Sequence, residues 1–219
     1  MNSPLIQLLV LAGIAVFLIL RLKNVLGTRE GFERNDVIKP AHEPSRRDNF
    51  EVIEGGPDRD IVDHVEEGSP QAAALQTMKE IDGNFSVSEF LVGARAAYEM
   101  IVMGFEKGDL AEIKPFIEED IYQAFAEVVQ EREKQGLTVD AEFIGVREIK
   151  LVDARYDEEA GEAEIAVRFV AELTSAVRDK GGEIIEGSTT EVKRQKDTWA
   201  FARKMGVDDP NWLLVSTDA

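Results

Sequence analysis

Cysteine is absent from the 219-residue chain, and histidine occurs only twice, at His42 and His64. The lack of cysteine excludes disulfides, thiolate nucleophiles, iron–sulfur clusters and cysteine-based zinc sites. The two histidines do not have metal-ligand spacing to each other, so we interpret both as solvated side chains. Because residues 84–219 contain no histidine, a histidine base is also excluded from that part of the chain.

Positive charge is scarce as well. The chain has 25 Lys+Arg against 43 Asp+Glu, which gives a formal net charge of −18. A protein that binds nucleic acid electrostatically needs a basic surface to neutralise phosphate, so we expect no nucleic-acid partner. The sequence also has no glycine-rich phosphate loop and no calcium-binding loop, and we expect no cofactor and no metal site.

One long apolar run lies near the N-terminus. Leu5 to Leu20 carries no charge, and the 20 residues from Ser3 to Leu22 would span about 30 Å as a helix, the thickness of a bilayer's hydrocarbon core. A signal peptide would have a basic start and a small-residue cleavage site, and a buried soluble helix would have a polar stripe. We therefore predict a single transmembrane anchor over residues 1–26.

The residues that flank this run predict its orientation. Arg21, Lys23, Arg29 and Arg34 follow the run, and no basic side chain precedes it. Under the positive-inside rule the remainder of the chain lies on the cytoplasmic side of the membrane. The chain is predicted to cross its membrane once.

Residues 27–83 have the composition of a linker. They combine scattered glycines and prolines with mixed charges and show no extended apolar period, so we predict that they are mostly disordered. Within them, Gln71 to Glu80 has the pattern of a short helix.

A helical region is predicted from residue 84 onward. Ser86 and Glu89 form an S-x-x-E capping box, and apolar side chains then recur at helical spacing until Gly108. Two further helical segments are predicted over 110–118 and 119–134. The side chains that share the face of the first helix are Phe90, Ala94, Ala97, Ile101 and Phe105.

The apolar period changes to two after residue 143. A strand over 143–156 has a phase slip between Val146 and Ile149, which predicts a β-bulge and a bent strand. A regular strand follows over 163–173, and a hairpin turn at 179–182 leads to a strand over 184–194. A second turn at 195–197 is predicted to precede the last two strands, which contain Trp199 and Trp212.

This order of elements predicts an α+β domain over residues 84–219, with helices packed on one face of a bent antiparallel sheet. A bent sheet around a long helix leaves an apolar cavity between them, which is a common place for a ligand or a partner segment.

Two blocks of this domain resemble a known family. Phe90–Leu110 (FLVGARAAYEMIVMGFEKGDL), together with Asp197–Arg203 (DTWAFAR) and Asn211–Leu214 (NWLL), resembles the domain of the mitochondrial inner-membrane translocase subunit forty-four. The short anchor and acidic linker are similar to those of bacterial adaptor members of this Tim44-like family, which implies a location in a bacterial inner membrane with the domain on the cytoplasmic side. The resemblance implies a cone-shaped fold similar to that of nuclear transport factor two. It also implies a non-enzymatic adaptor that holds a lipid or a hydrophobic protein segment during translocation, insertion or complex assembly.

The cavity is expected to be lined by aromatic side chains from the long helix and the sheet, with one arginine at its mouth. Trp199 and Phe201 are the first candidates for its walls. The full predicted set is Phe90, Tyr98, Phe105, Phe169, Trp199, Phe201, Arg203 and Trp212.

An alternative function is a small-molecule-binding or isomerase-like domain, because similar cones host isomerases that use a tyrosine and an aspartate. Such an enzyme would place two ionisable groups deep in the cone, whereas an adaptor would leave it apolar. No carboxylate spacing in the sequence singles out a catalytic pair, so we expect no enzyme activity.

Overall fold

The computed structural model describes residues 56–217. The predicted membrane span and the first part of the predicted linker lie outside these residues. None of the helices within residues 56–217 is both long and apolar enough to cross a bilayer. The helices are α1 (Arg59–Val62), α2 (Pro70–Ile81), α3 (Val87–Lys107), α4 (Leu110–Ile113), a 3-10 turn (Lys114–Phe116) and α5 (Glu119–Gln135).

A four-stranded antiparallel sheet follows the helices and confirms the α+β class. Its strands lie in the order β1-β2-β3-β4, so each strand pairs with its neighbour in sequence. The strands are β1 (Thr138–Asp157), β2 (Glu162–Arg178), β3 (Ile184–Lys204) and β4 (Leu213–Ser216).

The long helix α3 begins and ends where its sequence predicts. The hydroxyl of Ser86 accepts a hydrogen bond from the backbone N–H of Glu89, as a helix cap does. Gly108 closes the helix in the left-handed conformation, with φ of 77°. One side of the helix packs against the sheet, and Tyr98 and Ile101 on that side are fully buried.

The predicted bulge in the first strand is present. The pairing of β1 with β2 shifts register between Val146 and Glu148, and again near Phe143 and near Leu151. Each shift inserts an unpaired residue, and such residues bend a strand and increase its twist. β1 therefore curves around α3.

The predicted turn at 195–197 is wrong, because β3 continues through it. Gln195 pairs with Ala171 and Asp197 pairs with Phe169 across the β2–β3 ladder. Their polar side chains are typical of a turn, which is why the sequence pattern predicts one here. They are kept in the strand because both contact the buried hydroxyl of Tyr98.

The prediction of disorder up to residue 83 also differs from the structure. Ile61 of α1 and Leu75 and Met78 of α2 are buried in the core. Ser69 caps α2 by accepting from the N–H of Ala72, and Pro70 occupies the first turn, where its missing N–H is tolerated. The short helix predicted over Gln71–Glu80 is confirmed as α2, but three buried apolar side chains are too few to indicate from the sequence that this segment packs in the core.

Asp60 links the early helices to α3. Its carboxylate accepts hydrogen bonds from the backbone N–H groups of Val87 and Ser88 and forms an ion pair with Lys79. Partial burial alone would raise the pKa of Asp60, but the bonds from Ser88, Lys79 and Val87 together hold it well below its usual value. The ionised carboxylate therefore ties α1, α2 and the start of α3 into one unit.

Candidate functional site

A groove of about 450 Å³ runs along the first half of α3. We call it the α3 groove. It is open to solvent on one side and closed on the other by the end of β3, the loop before β4 and the 3-10 turn. The residues that line it are Phe85, Ser86, Glu89, Phe90, Gly93, Ala94, Ala96, Ala97, Met100, Phe116, Phe201, Pro210, Asn211 and Trp212.

Small residues form the floor of the α3 groove. Gly93, Ala96 and Ala97 lie at positions of α3 that share one helical face. A Cβ atom added at Gly93 would meet nothing within 4 Å, so this position opens into free space. The absence of larger side chains here allows another chain to approach the helix backbone closely.

Aromatic rings form the wall of the groove. The ring of Trp212 lies 4.7 Å from that of Phe90 and 5.9 Å from that of Phe85, measured between ring centroids. Phe90 in turn contacts Phe201 edge-on at 6.1 Å. Phe85, Phe90 and Phe201 are buried, whereas Trp212 is partly exposed and presents its ring to the groove.

The segment that carries Trp212 is held by the rest of the fold. The backbone N–H of Glu118 donates to the carbonyl of Leu214, two residues after Trp212. The guanidinium of Arg203 lies 5.3 Å from the Trp212 ring centroid and forms an ion pair of 2.5 Å with Asp82. The pKa of Asp82 is lowered, first by the N–H of Asn84 and then by Arg203.

Glu89 is the one charged residue among those that line the groove. Its side chain is exposed, and its carboxylate has no hydrogen bond or ion pair with any group in residues 56–217. The basic group nearest to the aromatic wall is Arg203, whose charge is balanced by Asp82. The α3 groove is therefore apolar, with one negative charge that no basic group among residues 56–217 balances.

The predicted pocket residues do not all meet at one site in the structure. Phe90, Phe201 and Trp212 line the α3 groove, and Arg203 lies behind Trp212 rather than at an opening. Phe105 lies at the other end of α3, where its ring packs against Phe125 at 4.7 Å.

Tyr98, Phe169 and Trp199 are not among the residues that line the α3 groove and instead pack together in the core. The Tyr98 ring stacks on Phe169 at 4.3 Å and contacts Trp199 at 4.5 Å. All three are buried, with exposed fractions of 0%, 0% and 5%. These rings fill the space between the middle of α3 and the sheet.

The Tyr98 hydroxyl makes the closest polar contact in this core. It donates to a carboxylate oxygen of Asp197 at 2.5 Å and accepts from the amide of Gln195 at 3.3 Å. Burial, and then the hydrogen bond to Asp197 and its negative charge, raise the pKa of Tyr98 far above its usual range. The tyrosine thus stays protonated as a hydrogen-bond donor to Asp197.

Several groove residues were missed by the sequence analysis, among them Phe85, Gly93, Met100 and Phe116. The one usable signal was the pair of small residues Gly93 and Ala97, four positions apart on an otherwise apolar helix. Phe85 and Phe116 come from connecting segments, whose positions no periodic pattern specifies. Within residues 56–217, no group of three or more His, Asp or Glu side chains could hold a metal ion.

Comparison with known proteins gives a match to one family model. The Tim44-like domain model matches residues 71–219. The human mitochondrial import inner membrane translocase subunit TIM44 is 25% identical over 114 residues, which cover 51% of this chain and 25% of that protein. The chain thus matches about a quarter of the length of this relative.

Among solved structures, the intermembrane-space region of the chloroplast protein ARC6 is similar with a TM-score of 0.39 and 10% identity. The similarity covers 65% of this chain and 92% of that one. A likeness at this level supports no argument about fold or function.

Proposed function

Because the chain belongs to the Tim44-like domain family, we propose that it is a non-enzymatic, membrane-tethered binding protein whose α3 groove holds an apolar ligand. Family membership associates the chain with membranes and protein translocation at a coarse level. The proposed role is to hold an apolar segment or acyl chain close to the membrane while a protein is translocated, inserted or assembled.

The observation that carries this proposal is the α3 groove itself. Its walls are the rings of Phe90, Phe201 and Trp212, and its floor is made of small residues that leave room for a chain to lie along the helix. Burial of about 200 Å² of apolar ligand surface would contribute roughly 5 kcal/mol before the cost of association. A tether to the membrane would raise the effective concentration of any ligand that is itself in the membrane.

The chemistry of the groove supports binding rather than catalysis. Glu89 is its only ionisable side chain, so it lacks the pair of groups that general acid–base catalysis uses. The pair of Tyr98 and Asp197 has the composition of an isomerase site, but the Tyr98 ring stacks on Phe169 and contacts Trp199 within the core. The isomerase-like alternative is not favoured by these contacts.

The location proposed for the chain is a bacterial inner membrane, with the domain on the cytoplasmic side. Support comes from the apolar run Leu5–Leu20 and the basic residues that follow it. The apolar run would anchor the chain in the membrane, and the α3 groove would then bind its ligand close to the bilayer.

Quenching of Trp212 fluorescence tests the proposal. The chain has two tryptophans, and only Trp212 lines the groove. The full chain is reconstituted in nanodiscs and exposed to two probes, a lipid with brominated acyl chains and a neutral apolar peptide that carries bromophenylalanine. We expect at least one probe to quench Trp212 on contact, and we expect the quenching to disappear in Trp212→Phe, where Trp199 is the only reporter.

Two further variants make the test specific to the groove. Gly93→Phe fills the groove with a ring and should abolish quenching, whereas Ala124→Phe adds the same ring at an exposed position of α5 and should leave it unchanged. Absence of quenching by both probes in the unmodified chain would contradict the proposal.

A further inference from the structure

We propose that the face of the sheet turned away from α3 is a second docking surface, which binds an acidic segment of a partner protein. This surface lies across the sheet from the α3 groove, so the inference goes beyond the function proposed above. Three observations carry it: basic side chains gathered on an acidic molecule, two lysines that have no counter-charge, and carboxylates that bound the basic area.

The pleat of β2 separates the two faces of the sheet, because successive side chains of a strand point to opposite sides. Phe169 points towards α3, where its ring stacks on that of Tyr98. Its neighbours Arg168 and Val170 therefore point away from α3, and so do the residues directly opposite them on β1 and β3. We call this side of the sheet the outer face.

Basic side chains from three strands meet at the centre of the outer face. Lys150 of β1 lies directly opposite Arg168, and Lys196 of β3 lies directly opposite Val170. Two arginines flank Glu172, the next outward residue of β2. We call the five basic residues the sheet patch: Arg147, Lys150, Arg168, Arg194 and Lys196.

The acidic residues within the sheet patch are too few to balance it. Glu172 accepts from Arg147 at 2.7 Å and from Arg194 at 2.8 Å, so one carboxylate serves two guanidinium groups. Glu148 pairs with Arg168 at 2.9 Å. Five positive charges against two negative ones leave an excess of about three on the patch, although the whole chain has a net charge of −18.

The two lysines of the sheet patch hold the unbalanced charge. Lys150 and Lys196 are exposed, and neither forms a hydrogen bond or an ion pair with another group among residues 56–217. Lys150 also lies directly across the ladder from Arg168, and like charges in that position destabilise a sheet. A carboxylate bound between the two would relieve this repulsion.

The dimensions of the sheet patch fit a short acidic segment. The patch spans three strands and the outward residues from Arg168 to Glu172, which is about 10 Å by 14 Å at about 4.8 Å between strands and about 3.4 Å per residue. Alternate side chains of an extended peptide are about 7 Å apart, the same spacing as the outward residues of β2. Acidic residues at every second position of a bound segment would therefore lie over successive basic groups.

Carboxylates at both ends of the patch disfavour broader anionic partners. Exposed Glu164 on β2 and Glu142 on β1 belong to the same face, beyond opposite ends of the basic area. A membrane of anionic lipids or a nucleic acid would extend past the patch and bring phosphates against these two residues. A second copy of this chain would bring a further net charge of −18.

Binding of matched peptides tests the inference. Two peptides of about eight residues are made, one with Glu and one with Gln at every second position and with Ser between them. Their affinities for the full chain in zwitterionic nanodiscs are measured by fluorescence anisotropy, with the signal of empty nanodiscs subtracted.

We expect the Glu peptide to bind about tenfold more tightly than the Gln peptide, with a preference that decreases as salt is raised from about 0.05 to 0.5 M. The net charge of the chain alone predicts the opposite order. Gly93→Phe, which fills the α3 groove, should leave binding of the Glu peptide unchanged.

The double variant Lys150→Gln with Lys196→Gln locates the binding, and Lys107→Gln with Lys134→Gln is its matched control. Both pairs remove two positive charges, but Lys107 and Lys134 are exposed at the ends of α3 and α5. We expect the first pair alone to weaken binding of the Glu peptide about fivefold or more. Because Lys150 and Lys196 lack partners in the described part of the chain, the urea midpoint should not fall.

Glu148→Gln should have the opposite effect, because it releases Arg168 from its ion pair and removes a negative charge from the patch. Binding of the Glu peptide should become about twofold tighter or more. Glu127→Gln, which makes the same change at an exposed position of α5, should leave the affinity unchanged.

Equal binding of the Glu and Gln peptides, or equal effects of the two lysine pairs, overturns the inference. Failure of the Glu peptide to bind, together with attachment of the chain to anionic vesicles that requires Lys150 and Lys196, also overturns it and makes the patch a membrane contact. None of these results bears on Trp212 quenching, so the proposed function stands or fails separately.

Discussion

Tyr98 is held at both ends of its side chain, by ring contacts with Phe169 and Trp199 and by the hydrogen bond from its hydroxyl to Asp197. Both anchors lie in the core and not in the α3 groove. The residue therefore stabilises the fold without contacting a ligand.

Tyr98→Phe distinguishes this core role from a role in binding. The change keeps the ring and removes a hydrogen bond to a charged group, so it should lower the free energy of unfolding by about 1–3 kcal/mol. Urea unfolding followed by tryptophan fluorescence gives this value. Probe binding, measured by Trp212 quenching below the unfolding transition, should be unchanged. A loss of binding without a loss of stability would place Tyr98 in the ligand site.

At the scale of elements, the two glycines of α3 have opposite surroundings. A Cβ atom at Gly93 would enter free space, but one at Gly104 would lie 2.6 Å from Cγ2 of Ile113, which is fully buried. Gly104 is thus required for the contact between α3 and α4, and Gly93 is required only to keep the groove open.

Alanine at these two positions should change stability in opposite directions. Gly93→Ala should stabilise the protein by about 0.5–1 kcal/mol, because glycine is a poor helix former. Gly104→Ala should destabilise it by roughly 1–3 kcal/mol, because the new methyl group displaces Ile113. Both changes in the free energy of unfolding follow from the urea midpoints, when the dependence of that free energy on urea concentration is the same for each variant. The same sign for the two changes would show that α3 and α4 do not pack as described.

Elements with strong periodicity were predictable, and those fixed by tertiary contacts were not. The sequence identified α3 through its capping box and apolar spacing, and it located the bulge in β1 from the phase slip after Val146. The sequence pattern predicted a turn at Gln195–Asp197 in the middle of β3. No signal in the neighbouring residues indicates that these side chains contact Tyr98. The aromatic candidates were identified by type, but ring type alone does not separate Phe201 and Trp212, which line the groove, from Phe169 in the core.

At the scale of the whole domain, the early helices are part of the core. Ile61, Leu75 and Met78 are buried, Asp60 caps α3, and Asp82 balances the charge of Arg203. Burial of one such side chain stabilises the fold by about 1.5–3 kcal/mol. The loss of all three therefore approaches the whole free energy of unfolding of a typical domain. Loss of Asp82 would add the cost of an unpaired buried charge.

Two truncated chains test this domain boundary. A chain of residues 56–219 should unfold cooperatively, whereas residues 84–219, which begin at the boundary predicted from the sequence, should be largely unfolded or aggregated. Near-ultraviolet circular dichroism and urea titration compare the two. Equal unfolding midpoints would mean that α1 and α2 contribute nothing and that the domain begins at residue 84.

The central claim is that ligands bind in the α3 groove, and methionine methyl resonances report on it directly. Met100 lines the groove, whereas Met78 is fully buried in α2 and lies outside it. The full chain is labelled at its methionine methyl groups, and the two signals are assigned with Met100→Leu and Met78→Leu. On addition of the neutral apolar peptide, we predict that the Met100 signal moves in a saturable way and that the Met78 signal does not. A saturating shift of Met78 without one of Met100 would contradict the claim, as would binding that moves neither signal.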